Sequence, residues 1–404
     1  RCRLLFRTLP FALLAWAELR TPSALRPGTL AALHWAPWHA AGSHRPNACV
    51  ACGARGNSGC RPCCEGRQAP GHSEPGDVTV AANWGWLLQC ASVAFAAVLA
   101  ITVPSTEVLA DGPAARTPRV LSVGDLHGDF RHTQLILREL GVLGPDGGWT
   151  GGDTVLVQTG DVTDRGDESG PIFAQLFRLQ DEAPSAGGEV ILLLGNHELM
   201  NLQGDFRYAT PKDTASLSPA TGPHAREEAF GPDGWVGRRL RQRGQTVALL
   251  GTERGLARPV LYVHAGVVPE LAGRLAQEGD GPQIAEKLND AVRRLLAGSA
   301  EGIRAQRSPL LSGEGPFWTR YLALSPEGEA LCEDLDTSLR AFGAERMVVG
   351  HTAQADGRVH ERCGGRLILG DTLISEAYTG TSHPSAVEVA ADGKATALYP
   401  GSRH

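Results

Sequence analysis

Asp, His and Asn recur at three places in the middle of the chain: GDLHG at 124–128, GDVTDRG at 160–166 and GNHE at 195–198. Oxygen and nitrogen donors of this kind suit Mn²⁺, Zn²⁺ or Fe rather than a thiolate-seeking ion. A carboxylate such as Asp161 can bridge two ions. Two ions about 3.5–4 Å apart can clamp a phosphoryl group and lower the pKa of a bound water. His264 in VHAG and His351 in GHT supply imidazoles that the first three blocks lack.

Each block needs an element to aim it. Short β-like runs precede all five, at 119–123, 154–159, 189–194, 260–263 and 347–349. Parallel strands end along one edge of a sheet, so residues just past those ends converge there. Apolar spacing predicts helices over 130–140, from Gly170-Pro171 onward, over 283–296 and over 331–342. Residues 366–369 read as a further strand, and Asp392-Gly393 turns 386–389 back on 395–398. The order is that of an α/β domain with ligands at strand ends. Residues 201–245 read as a cap insertion, with 211–223 a loop and 226–243 one helix. Arginines on that helix could attract phosphorylated peptides, although a solvated face is the commoner meaning of such a run. Phe317, Trp318 and Tyr321 lie in a loop over 307–321, where packing is expected ahead of substrate contact.

With those blocks in hand, the chain resembles the PPP-type branch of the calcineurin-like metallophosphoesterases. GNHELMNLQGDFRY at 195–208, GPFWTR at 315–320 and RMVVGHT at 346–352 make it similar to the Shewanella-like protein phosphatases. Five blocks in one order, each after a strand, form a specific signature. The resemblance spans about residues 119–378. It implies a β-sandwich of two mixed sheets flanked by helices. It further implies two divalent ions, Mn first and Fe or Zn as alternatives. Asp125, His127 and Asp161 would hold one ion; Asp161 would bridge to the other, completed by Asn196, His264 and His351. Hydroxide activated between them would attack phosphorus in line. Arg165 is expected to bind phosphate oxygens as a planar fork. His197 would protonate the leaving oxygen, oriented by Asp164. Arg207 is a second expected phosphate contact, and Tyr208 a further substrate contact.

The departures narrow the expectation. Leu194 precedes GNHE, Ala265 stands in HAG, and SAPNYC of the eukaryotic PPP enzymes is absent, so their toxins and regulatory subunits are not expected. Asp371-Thr372 replaces an Asp-Val-Gly pattern and leaves the C-terminal wall of the site open.

Of 404 residues 42% are apolar, enough for a core, and the net charge of −6 gives no basic footprint for nucleic acid. Residues 1–83 read as a targeting or disordered leader. Arg1, Arg3 and Arg7 precede an apolar run ending in Ala15-Trp16-Ala17, like a secretory signal. Residues 84–103 are nearly all apolar and long enough to span a bilayer, or to form a second targeting segment. With 104–118 as linker, this layout is similar to multipartite plastid targeting, so an organelle or its membrane is expected. Six of nine cysteines lie in residues 1–64, and they read as incidental rather than as a zinc site. Only Cys332 and Cys363 fall in the domain at 119–400, which argues against a disulfide framework there. The expected activity is hydrolysis of Ser/Thr phosphate on proteins. A small-molecule phosphoesterase, such as a dinucleoside polyphosphate hydrolase, is the enzymatic alternative. A membrane-tethered binding protein on a phosphatase fold is the non-enzymatic one.

Overall fold

The computed structural model describes residues 119–402 apart from 219–221. The strands are β1 (Val120–Val123), β2 (Val155–Gln158), β3 (Glu189–Leu192), β4 (Val247–Leu250), β5 (Val260–Val263), β6 (Arg346–Val349), β7 (His360–Arg362), β8 (Leu367–Leu369), β9 (Ala386–Val389) and β10 (Ala395–Leu398), and all but β7 grow from apolar runs. Two five-stranded mixed sheets result, ordered β10-β9-β1-β2-β3 and β4-β5-β6-β8-β7. The sheets face each other across Val120, Val155, Val157, Ile191, Tyr262, Val348 and Val387. Their neighbours Leu121, Leu156, Leu192, Leu261, Val263, Met347 and Val349 point the other way, into cores under the helices. That alternation is the period of two along a strand, with both faces buried. At one edge Gln245 pairs with the end of β3 before entering β4, joining the two sheets.

The helices are α1 (Phe130–Glu139), α2 (Ser169–Glu182), α3 (Asn196–Leu202), α4 (Pro211–Leu217), α5 (Ala225–Phe230), α6 (Trp235–Arg243), α7 (Pro269–Leu275), α8 (Gly281–Leu296), α9 (Ala300–Ala305), α10 (Tyr321–Leu324), α11 (Glu329–Phe342) and α12 (Glu376–Thr379). β1, β2 and β3 run parallel, as do β5, β6 and β8, so their C-terminal ends form one rim.

The cap differs from expectation. Residues 211–217 are helix, not loop. The Thr210 hydroxyl accepts from Asp213 N at 2.9 Å, and Pro211 sits in the first turn, where its missing N–H costs nothing. The single helix expected over 226–243 is two, broken at Gly231-Pro232-Asp233-Gly234. Of its arginines, Arg238 is exposed, and the others are buried or already paired. Arg226 is 2% exposed. Arg241 is buried and donates to Leu296 O at 2.8 Å and Phe230 O at 3.0 Å. Arg239 and Arg243 pair with Asp181 at 2.7 and 2.8 Å.

Cys332 and Cys363 are disulfide-bonded, a single link where the sequence argued against a disulfide framework. α11 and the β7–β8 turn bring their Cα atoms to 5.5 Å, within reach of a bond. Among the described residues no helix is long and apolar enough to cross a membrane. The expectations for 1–83, 84–103 and 104–118, and for the cysteines within them, lie outside the described residues.

Candidate metal centre and active site

The rim carries the site. Asp125 and His127 follow β1, Asp161 follows β2, and Asn196 and His197 open α3 just past β3. His264 follows β5 and His351 follows β6. All seven are buried. Two glycines make the convergence possible by lacking a side chain. A Cβ on Gly195 would stand 2.1 Å from Asp161 Oδ1, and one on Gly350 would stand 2.2 Å from Asp125 Oδ1. Seven described residues other than glycine have positive φ, and five of them are here: His127, Asp161, Asp164, Arg165 and His351. Such backbone strain persists only where surrounding contacts over-determine it.

Glu198 supplies much of that determination. Its buried carboxylate accepts from Gly195 N and Asp161 N at 2.8 Å, Val162 N at 2.9 Å and Thr163 N at 3.3 Å. It thereby fixes the turn carrying Asp161.

Each candidate imidazole ligand spends one ring nitrogen on a backbone carbonyl. His127 Nδ1 lies 3.1 Å from Thr163 O, His264 Nδ1 2.8 Å from Thr159 O, and His351 Nε2 3.0 Å from Trp318 O. A carbonyl only accepts, so those nitrogens carry the proton and the opposite ones present lone pairs. His264 Nε2 then faces Asn196 Oδ1 at 3.1 Å and Asp161 Oδ2 at 3.4 Å. Three acceptors at such range need a proton or a cation among them. Burial lowers His127 to about 4 and His351 to about 3, so both are neutral and available as ligands near pH 7. Burial opposes the charge on Asp161, but His264, His197 and His127 outweigh it and hold its carboxyl well below the usual range. The donor atoms of Asp161, His264 and His351 all lie within 4.8 Å of one another, as do those of His127, Asp161 and His197. Asp161 is common to both groups. The donor set fits divalent metal binding around that carboxylate.

His197 belongs to this neighbourhood but is engaged differently. Its Nδ1 donates to Asp164 Oδ2 at 2.6 Å, and Asp164 is fully buried. Burial lowers the His197 pKa, yet Asp161 and Asp164 raise it by more. A raised, carboxylate-oriented imidazole suits proton donation.

Beside it, Arg165 stacks its guanidinium 3.8 Å from the Tyr208 ring centre and 5.3 Å from that of Tyr378. Its buried Nε has no partner, as expected of a fork awaiting an anion. Tyr208 is thus the stacking surface for Arg165, and its ring is 5.3 Å from His197. Arg207 is placed otherwise. It forks onto Asp205 at 2.9 and 2.6 Å with a side chain 67% exposed, and it is not among the groups gathered around Asp161.

Several residues around the site were given no role by the sequence. Tyr378 OH is 2.9 Å from His127 Nε2. Arg320 donates to the His351 carbonyl at 3.3 Å. Asp371, pushed up to about 6 by burial, adds to the burial that raises Asp125. Arg226 and Asn201 hold Asp164 from behind. GDFRY and the Asp371-Thr372 departure drew attention to two of these neighbourhoods, but nothing in the sequence links Arg226 to Asp164.

The chain is similar to known proteins. The calcineurin-like phosphoesterase family model matches residues 118–354. Shewanella-like protein phosphatase 2 of Arabidopsis thaliana is 30% identical, over 64% of this chain and 72% of its own. An uncharacterized Schizosaccharomyces pombe protein is 37% identical, over 65% of this chain and 74% of its own. The crystal structure of a cold-active protein-tyrosine phosphatase from a psychrophilic Shewanella superposes with a TM-score of 0.55 at 28% identity, covering 70% of this chain and 80% of that one. This chain belongs to the calcineurin-like phosphoesterase family, within its Shewanella-like phosphatase branch.

Proposed function

We propose that this protein is a dinuclear-metal phosphoprotein phosphatase that hydrolyses phosphoserine and phosphothreonine monoesters. The observation that carries the reading is Asp161 shared between two groups of donors, with the His197–Asp164 pair and the unpartnered Arg165 fork beside it. Asp125, His127 and Asp161 would hold one ion and Asp161, Asn196, His264 and His351 the other, with Mn²⁺ first among the candidates. When bound, the ions supply Lewis acidity toward phosphoryl oxygen and acidify water. Arg165 grips the phosphate oxygens and fixes the ester for in-line displacement. His197 delivers its Nε2 proton to the departing side-chain oxygen as the P–O bond breaks, while Asp164 holds the ring by Nδ1. The charge deficit of the chain and the acidic carboxylates at the centre disfavour nucleic acid. Attachment to an organellar membrane, a plastid first, through 84–103 is part of the proposal and rests on sequence alone.

Phosphotyrosine is a second reading. Tyr208 and Tyr378 flank Arg165 and offer aromatic walls to a phenyl ring, and the similar solved Shewanella enzyme bears a tyrosine-phosphatase title. A substrate panel tests both. The Mn²⁺-loaded full chain is assayed with phosphoserine, phosphothreonine and phosphotyrosine peptides and with a dinucleoside tetraphosphate. Turnover of the first two supports the proposal, and turnover of phosphotyrosine alone supports the second reading. Turnover confined to the dinucleotide would sink both.

A further inference from the structure

We propose that Arg226, a cap residue 62 positions from Asp164 in the sequence, is the positioning residue of the His197–Asp164 pair. The inference rests on the phosphatase reading above and extends it to the cap.

Arg226 is among the largest fully buried side chains, at 2% exposure. Its guanidinium reaches four acceptors in different directions. Nη2 donates to Asp164 Oδ1 and, at 2.8 Å, to Thr163 Oγ1. Nη1 donates to Asp213 Oδ2 at 2.7 Å and Nε to Asn201 Oδ1 at 2.6 Å. Asn201 turns its amide to Asp164 Oδ2 at 3.1 Å and to His197 O at 2.8 Å. Both oxygens of Asp164 are therefore committed, one to Arg226 and one to His197 and Asn201. A carboxylate held on both oxygens cannot rotate, so the imidazole it orients cannot either.

The backbone gives an independent reason for such a brace. Asp164 has φ 72°, a left-handed conformation that a non-glycine residue keeps only under constraint. Arg226 supplies the constraint from α5 and Asp213 from α4, and Asp213 Oδ1 also accepts from Ser169 N at 2.7 Å, at the start of α2. The cap thus completes the proton-donating pair. Lysine would not substitute, because one ammonium cannot meet four divergent acceptors in a plane.

The full chain is tested as Arg226→Lys and as Arg226→Met combined with Asp213→Asn, which removes one charge of each sign. Both are compared with the wild type at equal metal content and equal far-ultraviolet circular dichroism. The assay uses alkyl and aryl phosphates of graded leaving-group pKa. The proposal predicts a kcat loss of about 10–100-fold for the most basic leaving groups, a small loss for nitrophenyl phosphate and an unchanged KM, a share of the ~10²–10⁴-fold that general acid catalysis supplies. In an Asp164→Asn background the Arg226 changes should cost little more, because Arg226 acts through Asp164. A uniform loss across leaving groups, or full additivity with Asp164→Asn, would make Arg226 a core residue without a positioning role. A chain that turns over aryl phosphates but no phosphopeptide would refute the proposed substrate while leaving this leaving-group test intact. For a chain with no turnover, the downfield imidazole N–H resonance removed by His197→Asn decides. It should broaden or vanish in the Arg226 variants, and its persistence unchanged overturns the proposal.

Discussion

His197 follows Asn196, a proposed metal ligand, and pairs with a buried carboxylate, so its removal can be read by what leaves rather than by what binds. A serine alkoxide needs a proton to depart and a nitrophenolate hardly does. His197→Asn should lose about 10²–10⁴-fold on phosphoserine peptide and clearly less on nitrophenyl phosphate. Equal losses would make His197 a structural residue. Arg165→Lys keeps the charge but loses the planar fork over Tyr208, so kcat/KM should fall about 10-fold or more; an unchanged value would remove Arg165 from the phosphate site. Glu198 accepts four backbone N–H groups, and Glu198→Gln turns one acceptor oxygen into a donor facing donors. Urea unfolding should show about 2–4 kcal/mol of destabilisation, because each buried donor left unmet costs about 1–3 kcal/mol. A neutral result would mean that the Asp161 turn holds itself. The proposed metal donors could be placed at this scale because each lies one to four residues past an apolar run. Glu198, Asn201, Arg226 and Tyr378 were not, since their roles depend on partners distant in sequence. Arg207, expected as a second phosphate contact, forks onto Asp205, two residues back.

Helices and strands set which of those partners meet. The periodic segments were readable: α1, α2, α8 and α11 lie where the spacing predicts, since each has one continuous apolar face. The cap was harder, because α4, α5 and α6 are too short for a period to declare itself, and Thr210 and Gly231-Pro232 act as local signals on a single turn. β7, with exposed His360 and Glu361, lacks the apolar pattern altogether. The turn after it nevertheless matters. Arg362 donates to Leu322 O at 2.6 Å and Ala323 O at 2.7 Å, and Cys363 N donates to Glu327 at 2.8 Å. These bonds and the disulfide to α11 anchor the segment whose Trp318 carbonyl aligns His351. Chain entropy for a crosslink over 31 residues predicts that Cys332→Ser destabilises by about 2–4 kcal/mol. Thermal unfolding under non-reducing conditions checks this, and an unchanged midpoint would mean the bond adds nothing beyond Glu327 and Arg362.

Across the whole molecule, two sheets packed through alternating Val, Ile and Tyr bring the ends of six parallel-running strands to one rim, and every proposed ligand hangs from that rim. The scaffold is therefore rigid where the chemistry needs it, and the cap reaches the site through Arg226. Such a centre concentrates buried carboxylates and neutral imidazoles that gain partners only from cations. Mn²⁺ at about 100-fold its Kd should accordingly stabilise the chelated protein by about 2.7 kcal/mol. The central claim is that Asp161 is shared by two ions, and metal analysis of purified wild-type and Asp161→Asn protein, alongside phosphopeptide turnover, tests it most directly. Two divalent ions per wild-type chain are predicted, with both weakened and turnover lost in Asp161→Asn. An Asp161→Asn protein that keeps two ions and full turnover would contradict the account.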